Sequence, residues 1–376
     1  MVKLRVVLAV ALSLSLSPVG ASYAQERGWP VSAVWSPDGE TIAVGSSTGI
    51  WFLDSGFKDL GFMKTAPEKI IGSSLSLDWH ASGELLAVGY PGNNPSGPIH
   101  IIDVGEMKIV RLIEYPDIYS SVRWHPSRNL IVSGNWRGNT DIWDAVSGEN
   151  VFRFEEYDEQ TAFAWNPTVG VYWLSERVIA AVTKFEVYII DIENDKILRS
   201  FDVPYVLDRA KCNSKRQFVT QDGYLVDLDA GSITKTFSRV RAGIGNWEFY
   251  AKSADMSPDS RQIATNEEGC RIRVIDARSR EILAELEGGI VYDFARRYRD
   301  SVSWHPDGSR FLTVGQLGDI RVWDGQTYEL LQRYDGFEMG DELAKRLLPI
   351  FWDNNWDQID INKYKCLQDF VALTSG

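Results

Sequence analysis

Short stretches of alternating hydrophobicity recur along the chain, and each ends in a large apolar residue followed by turn-forming residues. In one clear example, Ser120–Trp124 alternates and is followed by the turn residues 125–128. Three more runs follow it at Leu130–Gly134, Thr140–Trp143 and Val151–Phe154. Short runs that are rich in β-branched and aromatic residues and bounded by turns predict strands. The pattern therefore predicts a unit of four short antiparallel strands.

Two sequence marks repeat seven times in the same order. The first is the residue that ends the first strand, and its positions, spaced by 41 to 48 residues, are Trp35, Trp79, Trp124, Trp165, Cys212, Met256 and Trp304. The second is an Asp that follows an apolar residue, at Asp54, Asp103, Asp144, Asp191, Asp229, Asp276 and Asp324. One unit cannot bury both its faces, whereas a closed ring of units can. We therefore expect an all-β, seven-bladed β-propeller of four-stranded antiparallel blades within residues 25–334.

These motifs resemble those of WD40-repeat β-propellers, over about residues 31–334. The matching features are the Pro-Asp-Gly turns at 36–39 and 305–308 and the Trp-Asp pairs at 143–144 and 323–324. Five repeats carry Leu-Asp or Ile-Asp instead, and the Gly-His pair that usually opens a repeat is absent. The resemblance implies the propeller fold, and the missing His implies that aromatic packing holds the blades together.

The two ends of the chain differ from the repeats. Lys3 and Arg5 precede the apolar run Val6–Leu16, and small residues at Ser22 and Ala24 fit a signal-peptide cleavage site after Ala24. We therefore expect residues 1–24 to be a signal peptide and the protein to be periplasmic or extracellular. Residues 335–376 form a C-terminal extension with short helices expected at 341–348 and 362–373. This extension either packs on the propeller or docks a partner.

Composition excludes several classes of function. The net charge of −13 repels phosphate backbones, so we expect no nucleic-acid partner. With 44% hydrophobic and 12% aromatic residues, the chain has the composition of a folded protein, and no later segment resembles a transmembrane helix. We expect a monomer. The three cysteines, Cys212, Cys270 and Cys366, leave at least one thiol unpaired.

No group of residues predicts catalysis, a metal site or a cofactor. His80, His125 and His305 follow the first mark in three separate repeats, so they cannot converge on one metal ion. The Gly-x-Ser-x-Gly match at 45–49 falls between two predicted strands rather than at a strand-to-helix turn. The seven repeated Asp residues are expected to cap turns. His100 is expected in a strand of the second repeat, and we expect no enzyme.

The loops at one end of the predicted ring are rich in Trp, Tyr and Arg, the residue types that dominate interface energetics. The predicted partner-binding residues are Trp136, Arg137, Tyr157, Trp247, Tyr292, Arg296, Arg297 and Tyr298. We expect an exported, non-catalytic scaffold that binds a protein or peptide through this loop face. Two alternatives stay open. Each aromatic residue could instead cap its own blade, and the propeller could be of a carbohydrate-binding, hydrolase or lyase type.

Overall fold

All regular secondary structure in the described residues is β-strand. The computed structural model describes residues 30–46, 48–65, 75–90, 98–114, 119–155, 166–204, 206, 213, 215–220, 223–237, 240–241, 248–249, 251–267, 271–288, 302–315 and 319–334. The first four sheets contain β1 (Pro30–Trp35), β2 (Thr41–Ser46), β3 (Gly49–Asp54), β4 (Asp59–Lys64), β5 (Ser76–Trp79), β6 (Leu85–Gly89), β7 (Ile99–Asp103), β8 (Lys108–Ile113), β9 (Tyr119–Trp124), β10 (Leu130–Asn135), β11 (Thr140–Asp144), β12 (Asn150–Phe154), β13 (Thr168–Trp173), β14 (Val178–Thr183), β15 (Glu186–Asp191) and β16 (Lys196–Asp202).

The remaining sheets follow in chain order. They contain β17 (Gln217–Val219), β18 (Tyr224–Asp227), β19 (Ser232–Lys235), the hairpin β20 (Val240–Arg241) and β21 (Glu248–Phe249), β22 (Ala251–Met256), β23 (Gln262–Glu267), β24 (Arg271–Asp276), β25 (Ile282–Glu287), β26 (Val302–Trp304), β27 (Arg310–Val314), β28 (Ile320–Asp324) and β29 (Leu330–Tyr334). The helices predicted for 341–348 and 362–373 lie outside the described residues.

Apart from the two-stranded hairpin β20–β21, each sheet is one blade, built as an antiparallel meander from consecutive strands. Six blades have four strands, and the fifth shows three in the residues described there. The first strands of the first four blades contact one another in order, β22 of the sixth blade contacts β26 of the seventh, and β1 of the first blade contacts β26. The sheets therefore close into the predicted seven-bladed propeller. The seventh blade supplies all four of its own strands, so the ring closes without strand exchange.

The core consists of seven apolar layers, one at each junction between neighbouring blades. The middle strands are buried on both faces because each face packs against a different blade. Consecutive residues of β3, such as Trp51, Phe52 and Leu53, are therefore all buried. The outer strand β4 carries exposed residues instead. This explains why the second and third strands read as continuous apolar runs, while the fourth strand does not.

The junction between blades seven and one closes the ring through side chains. Trp35 of the first blade receives the ring of His305 edge-on, with 4.8 Å between ring centroids. The guanidinium carbon of Arg310 lies 5.0 Å from the Trp35 ring centroid. His305 Nε2 lies 3.2 Å from the carbonyl oxygen of Gly39, and its Nδ1 lies 2.6 Å from Asp307 Oδ1. These contacts join the seventh blade to the first.

The assignment of two sequence marks was wrong. The first strand of the fourth blade ends at Trp173, and Asn166 and Pro167 precede that strand instead of following it. Trp165 itself lies outside the described residues. In the fifth blade the second mark is Asp227, because β18 ends there and Asp227 Oδ1 accepts hydrogen bonds from the N–H groups of Asp229 and Ala230.

Candidate partner-binding face

The propeller has two ends, and the loop face is the end that carries the turns between second and third strands. The connections between blades lie on the same end. Among the described residues of this face, two aromatic side chains are strongly exposed. Trp136, after β10, is 43% exposed, and Phe185, after β14, is 49% exposed. They belong to neighbouring blades, the third and the fourth.

The turn that presents Trp136 is pinned by its own first residue. The buried Asn135 side chain accepts hydrogen bonds through Oδ1 from the N–H groups of Arg137, at 3.0 Å, and Asn139, at 2.9 Å. Gly138 adopts a φ of 91°, a conformation that favours glycine. A side chain that bonds backbone groups two and four residues later fixes the turn. Trp136 is therefore displayed on a rigid support.

The turn that presents Phe185 is pinned in a similar way. Thr183 Oγ1 accepts a hydrogen bond from the Glu186 N–H at 3.1 Å. The Phe185 carbonyl accepts from the N–H of Val203 at 2.7 Å, and the Lys184 carbonyl accepts from the N–H of Val206 at 2.8 Å. The connection that leaves the fourth blade therefore holds this turn from the side. Exposed aromatic residues on fixed turns lose little conformational entropy when a partner binds.

A short segment joins the two turns. Thr168 Oγ1 donates to the Gly138 carbonyl at 2.8 Å, and Asn166 Oδ1 accepts from the Lys184 N–H at 3.0 Å. Because only Pro167 separates Asn166 from Thr168, the two turns lie within the length of a tripeptide plus two hydrogen bonds. Trp136 and Phe185 thus belong to one patch, which we call the aromatic patch.

Cations and anions adjoin the aromatic patch. Arg137 follows Trp136, and Lys184 precedes Phe185. Burial lowers the pKa of the Lys184 ammonium. Arg153 Nε donates to Asp141 Oδ1 at 2.7 Å, and the Arg153 guanidinium also lies 3.7 Å from Glu155. Burial raises the pKa of Asp141, although the hydrogen bond from Arg153 opposes that shift. Charged side chains therefore surround the two turns, and Lys184 and Asp141 among them are buried.

Most of the predicted binding residues lie outside the described residues. The structure places Trp136 and Arg137 on the loop face, as predicted. Those outside are Tyr157, Trp247, Tyr292, Arg296, Arg297 and Tyr298. Phe185 was not predicted, because a single apolar residue in a turn carries little signal. The sequence does contain one sign of it, namely an aromatic residue directly after Thr183-Lys184 and between two strands that are buried.

Three of the four histidines pack between blades at the end of the propeller opposite the loop face. The rings of His80 and His125 pack edge-on against tryptophans of the next blade, with centroid separations of 4.9 Å to Trp124 and 4.4 Å to Trp173. These contacts match that of His305 with Trp35. His100 is buried, and burial lowers its pKa to about 4. Within the described ranges, no three His, Cys, Asp or Glu residues are placed to hold a metal ion.

The repeated Asp residues cap turns, as predicted, once Asp227 replaces Asp229. Asp144 Oδ1, for example, accepts from the N–H groups of Val146 and Ser147, both at 2.8 Å. These hydrogen bonds lower the pKa of Asp144. The Gly-x-Ser-x-Gly match lies between β2 and β3. In the part of the chain that the structure describes, no helix has the length and apolar character needed to cross a bilayer.

Comparison with known proteins supports the resemblance to WD40-repeat β-propellers. The family model for the WD domain, G-beta repeat, matches residues 300–324, which enclose the first three strands of the seventh blade. The β-propeller domain of Cps50 (Swd1) from Myceliophteria thermophila superposes with a TM-score of 0.64 at 15% identity, covering 79% of this chain and 97% of that domain. The chain is a seven-bladed β-propeller that is similar to WD40-repeat proteins.

Curated relatives to which this chain is similar include WD repeat-containing protein 1 from Gallus gallus and from Rattus norvegicus. Each is 22% identical over 296 residues. The alignment covers 70% of this chain and 44% of each relative, so the chain spans less than half the length of the relatives it matches. WD40 propellers are typically protein-interaction scaffolds and are generally non-catalytic.

The propeller has a side-chain hydrogen bond inside each of the two blades that carry a Trp-Asp pair. Trp143 Nε1 donates to Ser133 Oγ at 2.9 Å, and Trp323 Nε1 donates to Thr313 Oγ1 at 3.0 Å. Both bonds join the third strand to the second. The expectation that aromatic packing holds the blades is met in part, because side-chain hydrogen bonds also contribute.

Proposed function

We propose that this WD40 propeller is an exported, non-catalytic scaffold that binds a protein or peptide partner through its loop face. The observation that carries the proposal is the aromatic patch. Trp136 and Phe185 are exposed on turns fixed by buried polar side chains, and cations adjoin both. Aromatic anchors beside cations are the composition typical of interface hot spots. The predicted residues that lie outside the described ranges, such as Trp247 and Tyr292, would extend this surface.

The test is partner capture. The tagged mature protein is crosslinked in its host, the partner is identified by mass spectrometry, and its affinity is measured with purified proteins. Trp136→Ala and Phe185→Ala are each expected to weaken binding by about tenfold or more, as hot-spot truncations do. The matched control is Val146→Ala, because Val146 is 60% exposed but lies at the opposite end of the third blade. Unchanged affinity in both aromatic variants would show that this face is not the interface.

Export and the alternative class are tested separately. The N-terminal sequence of the protein recovered from its host should begin after Ala24 if the signal peptide is cleaved where the small residues indicate. A glycan array tests the carbohydrate-binding alternative, because exposed Trp and Phe rings can also stack on sugars. Glycan binding that Trp136→Ala abolishes would replace the protein partner with a carbohydrate.

A further inference from the structure

The fifth blade departs from the pattern of the others at the outer edge. In every other blade the fourth strand has a bulge opposite the third strand. The bulged residue is an exposed aliphatic residue in each case, namely Leu60, Val110, Val151, Leu198, Leu283 and Leu331. The fifth blade's β19 pairs with β18 without a bulge and has only four residues. This strand is shorter than the outer strands of the two neighbouring blades, which have seven and six residues.

A groove of about 340 Å³, which we call the rim groove, lies between the fourth blade and residues Arg216, Leu228 and Asp229 of the fifth. Its apolar lining comes from Leu174, Val178, Ile189 and Leu228, and the exposed Leu198 borders it. The volume lies at the low end of ligand sites, which suits side chains of a peptide more than a large cofactor. The groove on the other side of the fifth blade is polar and is lined by Lys215, Gln217, Leu225, Asp259, Ser260, Arg261, Asp276, Ala277, Arg278 and Ser279.

The rim groove contains a cation without a carboxylate partner among the described residues. Arg199 donates to the carbonyl oxygens of Leu228 and of Asp229, the latter at 3.1 Å, and its guanidinium carbon lies 5.3 Å from the Phe201 ring centroid. None of these partners carries a charge. A guanidinium has five N–H donors, so Arg199 can still bind a carboxylate. The neighbouring Arg216 is already paired with Asp229 at 2.9 Å.

The strand beside the rim groove has an open edge. Within the described residues, β16 pairs only with β15, and its seven residues make it the longest outer strand. An unpaired edge presents N–H and C=O groups that an extended chain can bind. In this mode the backbone supplies affinity and pockets for alternate side chains supply specificity.

We propose that the rim groove and the edge of β16 bind an extended acidic-aliphatic segment of a partner protein. The segment adds as a further strand beside β16 and places an aliphatic side chain against Leu174, Ile189 and Leu228. A carboxylate of the segment pairs with Arg199. This surface is separate from the aromatic patch and does not depend on the proposed function of the loop face.

The test uses a library of random linear peptides displayed on phage and selected on the mature protein. The enriched peptides are expected to combine aliphatic residues at alternate positions with Asp or Glu. Leu198→Asp should weaken their binding by about tenfold or more, because it sets a carboxylate against the aliphatic side chain. Arg199→Gln should weaken acidic peptides more than their amide-substituted versions. The matched control is Leu283→Asp, which changes the same bulge position in the sixth blade.

The possible results of these experiments either support the proposal or overturn it. Loss of peptide binding in Leu198→Asp with retention in Leu283→Asp and in Trp136→Ala supports the proposal. Failure to enrich any acidic-aliphatic peptide, binding that survives Leu198→Asp, or equal loss in both bulge variants overturns it. Thermal unfolding of each variant shows that the fold is intact, as expected for an exposed site. A change that follows Trp136→Ala instead would locate the peptides on the loop face.

Discussion

At the scale of single residues, the most demanding feature is a buried ion pair in the sixth blade. Glu267 and Arg273 are almost fully buried, and Arg273 Nε donates to Glu267 Oε1 at 2.5 Å. Thr265 Oγ1 donates to the same oxygen at 3.0 Å, and Arg271 lies 3.7 Å from the other carboxylate oxygen. Burying charges is costly, so the pair persists because each charge is compensated.

We therefore expect Arg273→Met to destabilise the protein by about 3–5 kcal/mol, because it removes the closest cation from the buried Glu267 carboxylate and leaves Arg271 at 3.7 Å. The measurement is equilibrium urea unfolding. The double variant Glu267→Leu/Arg273→Met should recover most of the loss, since it removes both charges. If the double variant is as unstable as the single one, lost packing rather than the uncompensated charge is the cause.

At the scale of elements, side chains of one first strand bind the backbone of the next. Asp78 Oδ2 accepts from the Trp124 N–H at 2.6 Å, and Ser76 Oγ accepts from the Val122 N–H at 3.0 Å. The same arrangement joins the sixth blade to the seventh, where Asp255 accepts from the Trp304 N–H at 2.8 Å. These hydrogen bonds join neighbouring blades, which share no strand.

Because the Asp78 carboxyl group titrates, we expect the free energy of unfolding to depend on pH. Burial raises the Asp78 pKa from 3.8 to about 6, against the opposing effect of Arg123. The folded state therefore holds this proton more tightly than the unfolded state, and the resulting stabilisation, complete below pH 3.8, is lost as pH rises to about 6. Asp78→Asn keeps an acceptor for the Trp124 N–H and does not titrate. Urea unfolding across this pH range should show that the free energy of unfolding of Asp78→Asn rises relative to that of the wild type as pH increases. Free energies that change in parallel with pH in the two proteins would contradict this.

The local sequence pattern predicted the positions of the strands well. It was less accurate about which strand of a blade a given segment forms. The strands of the third blade were predicted within two residues at each end, because alternation and turn residues are local signals. The fourth blade was misframed because Trp165-Asn166-Pro167 looks like the Trp-His-Pro turns elsewhere. What fixes the first strand at Thr168–Trp173 is its antiparallel pairing with Val178–Thr183. Likewise, the His–Trp contacts and Phe185 depend on how neighbouring blades meet, which no single repeat reveals.

At the scale of the whole molecule, one of the contacts that close the ring is made between the turn at Gly39 and the side chain of His305. Gly39, in the first turn of the first blade, has a φ of 74°, and a Cβ there would lie 1.9 Å from His305 Nε2. Gly83 occupies the equivalent turn of the second blade with the same φ of 74°, and nothing lies within 4 Å of its Cβ position. The two glycines thus share a backbone conformation and differ in whether a neighbouring blade fills the space.

Gly39→Ala and Gly83→Ala therefore separate backbone strain from ring closure. Both variants carry the cost of a left-handed alanine, about 1–2 kcal/mol. Only Gly39→Ala must also displace the His305 ring from Trp35 and Asp307, and overpacking of this kind costs about 1–3 kcal/mol more. Urea unfolding gives the difference, and hydrogen exchange should show faster opening of β1 and β26–β29 in Gly39→Ala alone. Equal losses in the two variants would mean that the ring does not depend on this contact for closure, and that the apolar layer between Trp51 and Val322 holds blades one and seven together by itself.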